Sequence, residues 1–130
     1  TVHSYNKDIT EAIKQFMTAV KIAKEVNMKT EVVNEYNYAL LMALKKDRLT
    51  YEPILNEAFE YGYSFSDEDL KIINLSFIAS TYLDKTYSLD SSKRDEISKR
   101  MSDLYGEDWQ LSTKELAAKL DAEYSLRNQK

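Results

Sequence analysis

The sequence predicts an all-α fold of about six antiparallel helices stacked as helical hairpins, either an α–α superhelix or a compact helical bundle. Three observations carry this. Only 2 glycines and 1 proline occur in 130 residues, whereas all-β folds need turn residues about every 8 to 12 positions. Apolar residues recur at helical spacing along most of the chain. Finally, Val32-Val33-Asn34 followed by Ala39 is echoed 40 residues later by Ile72-Ile73-Asn74 followed by Ala79. A unit repeating at a period of roughly 20 to 50 residues marks a helical repeat array.

The first helix is predicted over 9–26. Asp8 is placed to cap it, with Glu11 three residues on as capping-box partner, and Ile9, Ile13, Phe16, Val20 and Ala23 share one face. Asn27 tolerates the left-handed conformation that closes a helix. The second helix is predicted over 31–46 behind Thr30. Val33, Tyr36, Leu40, Ala43 and Leu44 form its stripe, widened by Val32, Ala39 and Met42, so it should be sandwiched between neighbours. The third is predicted over 51–61 behind Thr50, with Pro53 in the first turn, where no N–H is needed, and Gly62 as its stop. The fourth opens at Ser66, with Phe65 and Leu70 as a hydrophobic staple and Asp67-Glu68-Asp69 at the positive end of its dipole. Running through Ile72, Ile73, Phe77, Ile78 and Leu83, it is the most apolar helix and is expected at the centre. A polar loop over 84–91 leads to a fifth helix over 92–105, with Ile97, Met101 and Leu104 buried and Gly106 as its stop. A sixth opens at Ser112, with Glu115 as box partner and Leu116, Leu120 and Tyr124 as a narrow apolar face. Arg127 and Lys130 would lie at the negative end of its dipole.

A chain of this length reads as one domain, 1–130, able to bury about two-thirds of its unfolded surface. The absence of cysteine excludes a disulfide framework and favours a reducing, cytoplasmic setting. The longest apolar run, Ala39 to Leu44, is far short of the roughly 20 residues that span a bilayer, so no membrane role is expected. The chain opens on Thr1 without a signal segment, as a processed product or a piece of a longer protein would. Its net charge of −4, with dispersed basic residues, argues against direct nucleic-acid binding.

The odd helices also share a spacing. Ala12-x3-Phe16-x2-Ala19 recurs as Tyr51-x3-Leu55-x2-Ala58 and as Ile97-x3-Met101-x2-Leu104. With Ile78-Ala79-x2-Tyr82 and the half-match Ala39-x2-Met42 on the even helices, residues 9–105 resemble the tetratricopeptide-repeat superfamily. They depart from it in a period near 40 rather than 34 and in lacking its Gly and Pro positions. The longer period is similar to that of bacterial peptide-sensing regulators. The resemblance implies that the visible chain is the C-terminal part of a longer array, closed by the sixth helix as a polar cap.

It also implies a protein or peptide partner held in a groove lined by the second and fourth helices. Asn34 and Asn74 would be equivalent there, with Asn37 one turn from Asn34. Their amides, each both donor and acceptor, would hydrogen-bond the ligand while Tyr38 packs on it. Tyr36, Tyr38, Tyr61 and Tyr63 cluster around the second and third helices, as binding-surface or core-edge aromatics. Trp109 would anchor a partner or pack the last helix onto the domain. No catalytic residue, metal ligand or cofactor is expected: His3 is the only histidine, and no phosphate-cradling Gly-rich loop is present. The alternative is a small acidic assembly factor or inhibitor, for example of viral or phage origin, docking on a basic partner surface.

Overall fold

A computed structural model describes residues 2–86, 88–111, 115, 117–119 and 121–122, with side chains from Asp8 onward. The fold is all-α, and no strand occurs among the described residues. Its helices are α1 (Val2–Glu25), α2 (Lys29–Leu44), α3 (Arg48–Tyr63), α4 (Asp67–Ile72), α5 (Ser76–Lys85) and α6 (Ser91–Tyr105), followed by helical residues from Trp109. Packing follows chain order: α1 lies along α2, α2 against α3, α3 against α5, and α5 against α6. Two further contacts, α2 with α5 and α4 with α6, tie the middle together. Three-residue connections after α1 and α2 force each following helix back along its predecessor.

α1 starts at Val2 rather than residue 9, so Asp8 lies inside the helix and does not cap it. Neither Gly nor Pro lies between Val2 and Asp8 to stop the helix extending backwards. Its end is as predicted. Asn27 sits at φ 58°, its N–H bonds to Lys24 O at 3.2 Å, and the Met28 N–H bonds to Ala23 O at 3.0 Å. These two bonds are those of a Schellman closure. Thr30 is inside the first turn of α2, and the cap position falls to Met28, which offers no side-chain cap bond.

α3 starts earlier than predicted because Asp47 is the better cap. Its carboxylate accepts from the Thr50 N–H at 2.9 Å and from the Thr50 hydroxyl at 2.6 Å. Those two bonds hold the Asp47 carboxyl below the usual carboxylate range. The longer helix puts Pro53 in the second turn, where its ring forfeits a bond to Leu49 O. Gly62 is not a stop either: α3 runs past it to Tyr63, and a Cβ at position 62 would sit 2.3 Å from Leu75 Cδ1. The glycine is there for close approach.

The predicted fourth helix is two helices. Ser66 caps as expected, accepting from the Asp69 N–H at 3.2 Å, and Phe65 and Leu70 are both buried. Ile73 then turns extended (φ −99°, ψ 116°), and the Asn74 Oδ1 accepts from the Ser76 N–H at 2.8 Å. Asparagine breaks the helix here by offering the backbone donor an alternative partner. The centre also shifts. α2, not the predicted fourth helix, is buried without interruption from Tyr36 to Ala43, because α1, α3 and α5 all pack on it.

α6 has Asp90 as its cap, whose carboxylate accepts from the Lys93 N–H at 2.8 Å, and Gly106 at φ 97° ends it as predicted. Ile97 and Met101 are fully buried. The polar side of α6 then closes the C-terminal ends of three other helices, whose last carbonyls have no partner within their own helix. Arg100 donates to Tyr63 O at 2.7 Å and Phe65 O at 2.6 Å, after α3, and its Nε bonds Asp67. The Tyr105 hydroxyl accepts from the Leu75 N–H at 3.1 Å and donates toward Leu70 O and Ile73 O, at 2.6 and 2.8 Å, after α4. Arg94 donates to Leu83 O at 2.6 Å and to Thr86 O, at the end of α5.

Helical structure resumes at Trp109, before the predicted start at Ser112, and Trp109 is buried at 3% exposure. It therefore packs into the core. Ser112, Leu116, Leu120, Tyr124, Arg127 and Lys130 lie outside the described residues, as does the His3 side chain.

Candidate partner-binding cleft

The structure does not present the four predicted ligand contacts on one open surface. Asn34 is exposed on α2. Asn37 is 4% exposed, and its Oδ1 has no hydrogen-bond partner among the described residues. Tyr38 is buried and stacked on Phe16, with ring centroids 5.2 Å apart. Asn74 is exposed, but its side-chain oxygen already accepts from the Ser76 N–H. The equivalence of Asn34 and Asn74 fails because one lies mid-helix and the other in a helix break. A helix packed on by three neighbours cannot offer Asn37 and Tyr38 to a ligand.

An open cleft of about 700 Å³ lies instead between α3 and the end of α5. One wall comes from residues at four-residue spacing on α3: Arg48, Glu52, Asn56 and Glu60, which a helix places in a row. Beside this row Tyr51 is half-buried, and Leu55, 1% exposed, forms the apolar floor. The facing wall carries Tyr82 and Lys85, then Thr86 and Ser88. Tyr82 is fixed by stacking on Phe59 at 3.9 Å between centroids, and Phe59 in turn stacks on Tyr63 at 4.9 Å. Arg94 of α6 holds the turn after α5 through Leu83 O and Thr86 O, which sets the cleft's rim.

The charges in the cleft are unevenly matched. Arg48 and Glu52 pair at 2.6 Å. Lys85 lies 3.7 Å from Asp84 and 6.0 Å from the centre of the Tyr51 ring. Asn56 and Glu60 are both exposed, and neither has a hydrogen-bond or ion-pair partner among the described residues.

Two other hollows are less suited to a ligand. One, of about 720 Å³, lies between Leu44 of α2, Thr81 of α5 and Arg94, but that guanidinium is already committed to two carbonyls. A smaller one, of about 390 Å³, lies between Met28 and Ile72, beside the Lys29–Asp69 pair at 3.2 Å. Met28 and Ile72 are 51% and 82% exposed.

Most clustered tyrosines are structural. The Tyr36 hydroxyl donates to Glu57 at 2.8 Å. Burial first, and that carboxylate second, push its phenol well above the usual tyrosine value. Burial also raises Tyr61 and Tyr105. Lys24 lies over the rings of both Tyr36 and Tyr61, at 5.1 and 4.9 Å, and Arg100 over Tyr63 at 4.7 Å. Among the described residues, no group of three or more His, Cys, Asp or Glu side chains is placed to hold a metal ion, and no helix is long and apolar enough to cross a membrane.

The i, i+4 row on α3 is legible in the sequence, but its significance depends on which helix faces it. That partner, the last turn of α5, becomes visible only once the predicted fourth helix is known to break. Comparisons of the chain with protein-family models, with characterised proteins and with solved structures find no match.

Proposed function

We propose that this chain is a cytoplasmic, tetratricopeptide-like interaction module, without catalytic activity, that takes an extended segment of a partner protein in the cleft between α3 and α5. The observation that carries this reading is the cleft's composition. Two half-buried tyrosines, Tyr51 and Tyr82, offer contact area above a floor closed by Leu55, while an amide and a carboxylate without partners among the described residues offer hydrogen bonds. Binding sites commonly join an apolar surface to a few placed polar groups in this way.

The test is selection of peptides from a random display library against the whole chain, with the site mapped by amide chemical shifts. Perturbation centred on Asn56, Glu60, Tyr82 and Lys85 is the expected result. Asn56→Ala should then weaken binding about tenfold, the size of one or two lost hydrogen bonds, while Asn34→Ala should leave it unchanged. Ligands that map elsewhere, or failure to select any, overturn the reading.

A further inference from the structure

We infer that the α3–α5 cleft selects its partner segment through an arginine side chain; this rests on the cleft being the binding site. Three features converge on it. The first is charge. Arg48 and Glu52 pair within the cleft and Lys85 leans toward Asp84, outside the lining, so Glu60 is the lining carboxylate without an ion-pair partner among the described residues. An unpaired carboxylate favours a cationic group at its own position, in a lining whose formal charges otherwise balance.

The second is the set of acceptors. Asn56 and Glu60 sit one turn apart on α3, so an amide oxygen and a carboxylate stand side by side on one helical face. A guanidinium carries five N–H donors in a rigid plane and satisfies several acceptors at once, where an ammonium acts as a single point charge. The third is the aromatic wall. Tyr82 is immobilised by Phe59 at 3.9 Å, and a planar cation gains from lying on such a ring. Arginine combines all three. An acidic group at the same place would meet the Glu60 carboxylate directly, and an aliphatic one would leave both polar groups without partners.

The probes are the capped tripeptides Gly-Arg-Gly and Gly-citrulline-Gly, titrated at millimolar concentration into the whole chain and followed by amide shifts. Citrulline keeps the shape and loses the charge. The arginine peptide should shift Asn56, Glu60 and Tyr82 and bind at least about tenfold more tightly, the worth of one charge-assisted hydrogen bond. Glu60→Gln should remove that preference, and exposed Asn34→Ala should preserve it. Equal binding of the two peptides, no binding of either, or an unaltered preference in Glu60→Gln overturns the inference. If display selects peptides that occupy the cleft without enriching arginine, the arginine inference falls and the cleft stands. If nothing occupies the cleft, both fall.

Discussion

A methyl group at position 62 would overlap Leu75, which is itself fully buried. Gly62→Ala should therefore destabilise the fold by about 1–3 kcal/mol, the usual cost of overpacking, read as a lower urea midpoint. Combining it with Leu75→Ala should recover part of that loss relative to Leu75→Ala alone, because the clash and the cavity offset each other; additive losses would show that the contact is not the cause. The Tyr36 phenol gives a pH signature. Its proton is held more tightly in the folded state than in the unfolded chain. Its contribution is thus fully present below the unfolded tyrosine value of about 10 and is lost as the pH rises above it. Wild type should lose stability steeply in alkali, and Tyr36→Phe should lose it less steeply; parallel pH profiles would remove Tyr36 as the source. At this scale the sequence was legible where a residue acts on its own backbone, as at Asn27 and Gly106. It was not legible where the reason lies across the structure. Gly62 reads as a stop until Leu75 is seen to lie against it.

Among the elements, α3 carries a defect of its own. Pro53 lies in the second turn of a helix that Asp47 starts three residues earlier than Thr50 would. Because Pro53 is exposed, Pro53→Ala restores a backbone bond with little change in packing. It should stabilise the fold by about 1–3 kcal/mol, seen as a raised melting temperature; a lowered one would mean the ring supports the helix start. Helix existence was readable from apolar spacing, and every predicted helix with described residues is present in some form. The boundaries and the α4–α5 break were not. Capping there is a competition between neighbouring candidates, Asp47 against Thr50 and Asn74 against the helix itself, and its outcome depends on which backbone donor each side chain reaches.

For the whole molecule, the all-α class followed from the scarcity of turn residues, whereas the centre did not follow from hydrophobicity. The most apolar stretch yields the central place to α2 because it breaks at Asn74, while α2 stays buried without interruption from Tyr36 to Ala43. The candidate site moved for the same reason: Asn37 and Tyr38 lie within that buried run. The two routes to a partner differ in their response to salt. Recognition through Glu60 in one cleft should lose affinity only modestly between about 50 and about 300 mM salt, since one close charge pair is only partly screened. A steep fall would favour an acidic face docked broadly on a basic partner.

The capping performed by α6 has a consequence for how the chain is made. Synthesis runs from the N-terminus, so α3, α4 and α5 emerge before the side chains that close their ends. Until residue 105 has been added, the carbonyls that α6 later caps have only water for partners, and the α4–α5 break is held only by its own Asn74–Ser76 bond and the packing of α5. A nascent chain that stops after α5 would hold the packing of α1, α2, α3 and α5 with these helix ends still open to water. The arrival of Arg94, Arg100 and Tyr105 closes them, which makes the last fifteen-residue helix the step that seals the earlier ones.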